Sequence, residues 1–216
     1  MNNFKNYIFD LDGTLINSSN EVLLCFKKAF AQANYPIDEK NLTSDIIGPP
    51  LNNIIKLIAP NINEQKTQDV TKYFRQIYDY DENDISVVYD GFYEILNHLK
   101  QINSKLFIAT LKPYIPTKRV LQKFNLADFF DDIYTIDKFE GKYTKEQMVV
   151  DIITKYNLDK QSTVMAGDAK GDIIAGKNAG VKTIAALWGY GTNKEDIVNE
   201  ADYNFKTPKD LFKWLK

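Results

Sequence analysis

The strongest constraint on the fold is an alternation of short apolar runs with helical patterns. Amphipathic patterns such as "PTKRVLQKFNL", "KEQMVVDIITKYNL" and "GDIIAGKNAG" separate the last four of five runs rich in β-forming residues. Strands that alternate with helices favour a parallel sheet covered on both faces. We therefore predict an α/β fold with a three-layer core and a mostly parallel sheet. The runs are "YIF" from Tyr7, "LFIAT" from Leu106, "DIYTI" from Asp132, "TVMAG" from Thr163 and "KTIAAL" from Lys182.

The first and second runs lie much further apart than the others, with about 90 residues between them, and a structureless segment of that length is uncommon in a compact domain. This segment carries two apolar stripes at helical spacing, and "IIGPPL" interrupts the helices between them. We predict a small helical cap domain, residues 16–86, inserted into a core of residues 1–15 and 87–216. The stripes are Val22, Leu23, Phe26, Phe30 and Ala33, then Val70, Phe74, Ile77 and Tyr78.

The balance of charges excludes one class of partner. The 216 residues include 27 Lys and Arg against 29 Asp and Glu, so the net charge is -2. Such a chain lacks the positive surface that binds nucleic acid or an anionic membrane. We expect no nucleic acid and no membrane partner. The pattern "WGYGT" is not a dinucleotide fingerprint, which would need three spaced glycines after a strand.

The single cysteine and the first residues bear on location. Cys25 cannot form an internal disulfide, and its apolar neighbours at helical spacing indicate a packed thiol. The stretch "MNNFKNYIFD" lacks the apolar centre of a signal peptide, and no apolar run approaches the roughly 20 residues of a membrane span. We expect a cytoplasmic protein, either a monomer or a homodimer.

Polar side chains follow several of the predicted strands. Because parallel sheets bind ligands at the carboxyl ends of their strands, these side chains point to one convergent site. Carboxylates gathered there repel one another unless a cation neutralises them, and Mg²⁺ prefers oxygen ligands combined with a substrate phosphate. We therefore predict Mg²⁺ as the cofactor. The residues are Asp10, Asp12, Thr110, Asp168 and Asp172.

The pair Asp10 and Asp12 suggests phosphoryl chemistry. In an extended strand the i and i+2 side chains share one face. A carboxylate can attack phosphorus to give an aspartyl-phosphate, and a second carboxyl can protonate the leaving alkoxide. Gly13 would let the chain turn while its amides approach the phosphoryl oxygens.

Four motifs in order, "DLDGTL", "FIATLKP", "EGKYTK" and "GDAKGD", resemble those of the haloacid dehalogenase-like superfamily over essentially the whole chain. The resemblance implies a Rossmann-like core in which Asp10 is the nucleophile and a metal ligand. It also implies that Asp12 is the general acid and base, with its main-chain carbonyl on the metal. Asp168 would be a further metal ligand, and Asp172 would hold it or a metal-bound water.

The same resemblance gives two residues to the transferring phosphoryl group. Thr110 would donate a hydrogen bond to it, and Lys145 would neutralise its charge. Lys142 lies three residues before Lys145 and is the alternative lysine. Asp172 is also compatible with a simple role as an acid in the first turn of a helix. His98 is not needed for this chemistry.

The reaction implied is Mg²⁺-dependent hydrolysis of a phosphomonoester on a small phosphorylated metabolite. Asp12 argues against the dehalogenase branch, and Thr14 resembles phosphatases, whereas sugar phosphomutases commonly carry valine there. A β-phosphoglucomutase-like mutase and a nucleotide 5'-phosphatase remain alternatives, and a non-catalytic phosphate-binding regulator is a third. A phosphonate hydrolase that uses a cap lysine also remains open.

Finer resemblance points to the phosphoglycolate phosphatase-like subfamily, through "IIGPPL", "VYDGFYEIL", the Lys112-Pro113 step and "DIIAGKNAG". Leu111 departs from the small polar residue usual at its position. Gly48, Pro49 and Pro50 form the predicted cap specificity loop, since prolines would stiffen it. A plain turn between helices is the alternative for that loop.

Overall fold

The computed structural model describes residues 4–80, 85–139, 143–191 and 194–216. Its main sheet contains six strands in the order β5-β4-β1-β6-β7-β8, and each neighbouring pair is parallel. The predicted α/β fold with a parallel sheet is therefore confirmed. The strands are β1 (Asn6–Phe9), β4 (Lys105–Thr110), β5 (Asp132–Thr135), β6 (Thr163–Gly167), β7 (Lys182–Ala186) and β8 (Tyr203–Phe205), and a separate antiparallel pair joins β2 (Ile16–Asn17) to β3 (Val87–Val88).

Helices cover both faces of the sheet. Alternate residues of β1 point to opposite faces, so Tyr7 and Phe9 pack into one apolar cluster and Ile8 into another. The first cluster contains buried residues of α4 and α9, and the second contains those of α6 and α7. Three layers result, as predicted. The helices of this part are α4 (Phe92–Gln101), α5 (Tyr114–Lys123), α6 (Lys145–Lys155), α7 (Lys170–Ala179), α8 (Lys194–Glu200) and α9 (Pro208–Leu215).

The chain divides into two compact units. One comprises the residues through Asn17 together with Val87–Lys216, and the other is Ser18–Ser86. The predicted division lies two residues earlier at its first boundary, since Ile16 and Asn17 pair with Val88 and Val87 and so stay with the sheet unit. That the helical unit acts as a cap stays a prediction.

The helical unit contains α1 (Ser19–Gln32), α2 (Leu51–Ile58) and α3 (Glu64–Tyr80). The apolar stripes of α1 and α3 face each other, and the rings of Phe26 and Phe74 lie 4.4 Å apart between centroids. Cys25 is buried in α1, as predicted for a packed thiol. Leu23 and Ile77, which were assigned to these stripes, are only half-buried.

Helix starts follow local chemistry. At α9 the Thr207 hydroxyl accepts a hydrogen bond from the Asp210 N–H at 3.1 Å, and Pro208 follows in the first turn. Helix α5 begins at Tyr114, two residues before Pro116, because the Asp137 carboxylate accepts the Tyr114 N–H at 2.9 Å. Among the residues described, none of the helices has the length and apolar character required to cross a membrane.

Candidate active site

The central strand β1 delivers Asp10 to the carboxyl edge of the sheet. The Asp10 N–H donates to the Ala166 carbonyl at 2.9 Å, so pairing with β6 continues one residue past the strand. The chain runs outward from β1 through β4 to one side and from β6 through β7 to the other, which makes β1 and β6 the point where strand order reverses. Ligands bind at such points in open α/β sheets.

A tight turn follows Asp10. Gly13 has a φ of +81°, and its N–H donates to the Ile16 carbonyl at 2.8 Å, so the Gly13 N–H that was predicted to approach the phosphoryl oxygens is already engaged within the turn. A side chain at this position would overlap the Asp168 carboxylate. Glycine is therefore required both by the backbone conformation and by the close approach of Asp168.

Three buried carboxylates, those of Asp10, Asp168 and Asp172, offer oxygens that all lie within 4.8 Å of one another. Burial, with Asp172 and Asp12 adding to it, raises the pKa of Asp10 to about 7 against the opposing charge of Lys145. Burial and the charges of Asp10 and Asp172 also raise the pKa of Asp168 well above its usual value, despite a hydrogen bond from Gly191. The cluster is short of positive charge, which is the environment of a cation site.

Lys145 joins two of these carboxylates. Its Nζ lies 2.6 Å from Asp10 Oδ1 and 2.6 Å from Asp172 Oδ1. Burial lowers the pKa of Lys145, but the two carboxylates more than offset this and raise it above the usual value, so the ammonium stays charged. Lys145 is the first residue of α6, whose start is fixed by reciprocal hydrogen bonds between Thr144 and Gln147.

The sequence favours Lys145 over Lys142 as the lysine that neutralises the phosphoryl charge. Lys142 lies outside the described residues. The pairing of Lys145 with Asp172 was not predicted. It places the lysine at the centre of the carboxylate cluster and not at its margin.

Hydrogen bonds hold the two later carboxylates in place. Asp168 Oδ2 accepts the Gly191 N–H at 2.7 Å, and Asp168 Oδ1 accepts the Thr14 hydroxyl at 3.4 Å. Asp172 Oδ2 accepts the Ala169 N–H at 3.0 Å. Asp172 therefore both accepts a main-chain N–H as an acid in the first turn of α7 and contacts Lys145.

The loop after β7 was missed from the sequence as part of the site. Gly191 approaches Asp168 so closely that a Cβ would overlap the Asp168 main chain. The indole N–H of Trp188 donates to the Thr14 carbonyl at 3.0 Å and steadies the turn after β1. The sequence signal for this part of the site was the pair of glycines, Gly189 and Gly191, just past the carboxyl end of the predicted strand "KTIAAL".

Thr110 ends β4 and is buried. Its Oγ1 accepts the Lys112 N–H at 3.1 Å, which leaves the hydroxyl hydrogen to be donated elsewhere. Lys112 forms a second ion pair, with its Nζ 3.1 Å from Asp12 Oδ1. Asp12 is not part of the three-carboxylate group found among the described residues. The sequence singled out Lys112 only as part of a subfamily resemblance.

Residues 7–186 match the sequence model of the haloacid dehalogenase-like hydrolases. The chain belongs to this family. The pyrophosphatase PpaX of Halalkalibacterium halodurans is 32% identical to this hydrolase over 94% of the chain and 93% of the relative. A phosphoglycolate phosphatase of Aquifex aeolicus is 32% identical over 96% and 95%. A crystal structure from Clostridium difficile, provisionally assigned as a phosphatase, superimposes over both full chains with a TM-score of 0.88 at 26% identity.

These similarities confirm the family and hydrolase class predicted from the four motifs. The phosphoglycolate phosphatase-like resemblance is also confirmed. The names of the two relatives that share 32% identity differ in substrate, so similarity at this level does not select one. The roles predicted for individual residues of this haloacid dehalogenase-like hydrolase stay predictions.

The predicted specificity loop of the hydrolase lies in the helical unit. Gly48 is exposed with a φ of +135°, and Pro50 immediately precedes α2. Pro49 is half-buried. This geometry is that of a turn into a helix, and its role in specificity stays a prediction.

Proposed function

We propose that this chain is a Mg²⁺-dependent phosphomonoester hydrolase that acts on a small phosphorylated metabolite through an aspartyl-phosphate on Asp10. The observation that carries the proposal is the contact of Lys145 with both Asp10 and Asp172 inside a buried carboxylate cluster. A nucleophilic carboxylate needs a cation beside it before it can approach an anionic phosphoryl group. The membership of the family supports the same reaction class.

The donor set fits a hard divalent cation. Asp10, Asp168 and Asp172 supply carboxylate oxygens within a few ångströms of one another. Burial, and then the charges of neighbouring carboxylates, raise the pKa values of Asp10 and Asp168, so a further cation would favour their ionised forms. These residues would hold the ion, together with the main-chain carbonyl of Asp12. When bound, Mg²⁺ neutralises carboxylate and phosphoryl charge so that two anions can meet.

In the proposed first step, a carboxylate oxygen of Asp10 bonds to phosphorus while the bond to the leaving oxygen breaks. Asp12 gives its proton to that oxygen. Lys145 and the hydroxyl of Thr110 contact the phosphoryl oxygens, and the Lys145 ammonium offsets part of their charge. Water then attacks the phosphorus of the aspartyl-phosphate, Asp12 takes a proton from it, and phosphate leaves with Asp10 restored.

One relative favours a second substrate class. The pyrophosphatase PpaX of Halalkalibacterium halodurans, at 32% identity, suggests pyrophosphate, in which the leaving group is itself a phosphate. The same attack by Asp10 would apply. The helical unit, with Gly48 to Pro50 as its candidate selective segment, is proposed to decide between these substrates.

The test is a panel of substrates with purified protein and Mg²⁺. It contains p-nitrophenyl phosphate, phosphoglycolate, pyrophosphate, nucleoside 5'-monophosphates and β-glucose 1-phosphate, with released phosphate and sugar-phosphate interconversion both measured. We expect phosphate release that EDTA silences and that Asp10→Asn abolishes in a folded protein. Interconversion without phosphate release would show a mutase. Activity that survives either change would refute the nucleophile or the metal assignment.

A further inference from the structure

A buried lysine beside Asp12 has no part in the mechanism above. The side chain of Lys112 is 1% exposed, whereas that of Asp12 is 24% exposed, and Lys112 Nζ lies 3.1 Å from Asp12 Oδ1. Lysine rarely lies fully buried unless it is paired, because removal of an ammonium from water is costly. The ion pair therefore fixes the position of the Asp12 carboxyl from its buried side.

The loop that carries Lys112 is itself anchored. The Lys112 N–H donates to Thr110 Oγ1 at 3.1 Å, and the Lys112 carbonyl accepts the hydroxyl of Thr117 at 3.4 Å. Thr110 closes β4 and Thr117 belongs to the first turns of α5, so a strand and a helix hold the lysine backbone at both ends. The strand and the helix therefore fix the backbone from which the Lys112 side chain extends, so its ammonium does not move as that of a surface lysine would.

Two lysines divide the carboxylates of the site into two groups. Lys145 contacts Asp10 and Asp172 within the cluster, and Lys112 contacts Asp12 outside it. Asp12 follows Asp10 by two residues, and an ionised carboxylate so near a cation site is drawn toward the cation. The Lys112 ammonium gives the Asp12 carboxyl a partner outside the cluster.

We propose that Lys112 is a positioning residue that keeps the Asp12 carboxyl directed at the leaving oxygen and away from the metal-binding carboxylates. The proposal rests on the proposed function, in which Asp12 moves the proton. It differs from a phosphate-binding role, in which Lys112 would contact the phosphoryl group of every substrate equally.

The choice of leaving group separates the two roles. An alkoxide needs a proton as it leaves, whereas p-nitrophenolate is stable as an anion and does not. The ratio kcat/KM reports steps up to the phosphorylation of Asp10. Lys112→Met, which keeps length and removes charge, should lower kcat/KM for an alkyl phosphate by about 100-fold, the lower end of general-acid effects. The same variant should lower kcat/KM for p-nitrophenyl phosphate by a much smaller factor.

Three further variants make the result decisive. Asp12→Asn should show the same dependence on the leaving group, and Lys112→Arg should restore part of the loss with the alkyl phosphate. Lys118→Met removes an exposed lysine six residues further on and should change neither substrate. If Lys112→Met fails to fold, Lys112→Arg replaces it in the test. This variant should still lower kcat/KM for the alkyl phosphate more than kcat/KM for p-nitrophenyl phosphate.

Equal losses for the two substrates would overturn the positioning role and leave the proposed hydrolase intact. Failure of the proposed function has a different signature. In that case the unaltered protein would release no phosphate from either substrate, or Asp10→Asn would retain turnover.

Discussion

Replacing Asp10 by asparagine should make the metal-free protein more stable while it abolishes turnover. Asp10 is 6% exposed, and burial raises its pKa from 3.8 to about 7. The folded protein therefore holds a proton that the unfolded chain releases between about pH 4 and pH 7, so stability falls as pH rises through this range. Asparagine keeps an oxygen that can accept from Lys145 and removes the charge.

The magnitude follows from the two pKa values of Asp10. Each unit of difference is worth about 1.36 kcal/mol, so the raised pKa costs the folded state about 4 kcal/mol at pH 8 and roughly 3 kcal/mol less at pH 5, where the folded protein keeps the proton. The stability advantage of Asp10→Asn over the unaltered protein should therefore grow by about 3 kcal/mol between pH 5 and pH 8. Asp168 strengthens the trend, because the charge of Asp10 also raises its pKa.

The measurement is urea unfolding of both proteins in EDTA at the two pH values. Comparing the two proteins removes the contributions of titrating groups that do not interact with Asp10. Saturating Mg²⁺ at pH 8 should then stabilise the unaltered protein by about 2.7 kcal/mol at a hundred times its Kd, and Asp10→Asn by much less. A stability difference that does not change between pH 5 and pH 8 would refute the raised pKa of Asp10.

The other predictions concern the contacts around the cluster. Lys145→Met should lower kcat by about 100-fold or more, because it removes the ammonium beside the proposed nucleophile, Asp10. Steady-state kinetics measure this loss, and a decrease in kcat of less than about threefold would contradict the prediction. Gly191→Ala should weaken Mg²⁺ binding about 10- to 100-fold, because the new Cβ overlaps the main chain of Asp168. Calorimetry measures the affinity, and Gly171→Ala is the matched control because a Cβ at that position meets open space. Inorganic phosphate should raise the affinity for Mg²⁺, because each ion offsets the charge that the other meets; equal affinities in its presence and absence would contradict this coupling.

The sequence predicts the parts of this molecule that depend on local pattern. Apolar runs give the five longer strands, and their ends locate Asp10, Thr110 and Asp168 at one edge of the sheet. Strand β8 was missed because three residues at the margin of the sheet, none of them buried, carry too short a pattern. Helix α5 was expected to follow Pro116, and it begins earlier because Asp137, 23 residues further on, satisfies its first free N–H.

The contacts missing from the sequence interpretation join residues that are distant along the chain. Lys112 and Asp12 are 100 residues apart, and Lys145 and Asp172 are 27 apart. Neither pair shares a helix or a strand, so no periodicity brings them together. The motifs predict which residues surround the phosphoryl group, but only the packing of β1 beside β4 and β6 decides which cation meets which carboxylate.

The charges of the site account for the cation that the proposed function requires. Four carboxylates, at Asp10, Asp12, Asp168 and Asp172, face two ammonium groups, those of Lys112 and Lys145, so full ionisation leaves two negative charges. Burial, and then the neighbouring carboxylates, raise the pKa values of Asp10 and Asp168, so full ionisation without a further cation is costly. One divalent cation cancels the two excess negative charges, and a phosphomonoester dianion then meets a site that carries no net negative charge. Both lysines already contact carboxylates, so the charge that Lys145 brings to the phosphoryl group is shared with Asp10 and Asp172, and the cation is what would make the proposed attack of Asp10 on phosphorus electrostatically feasible.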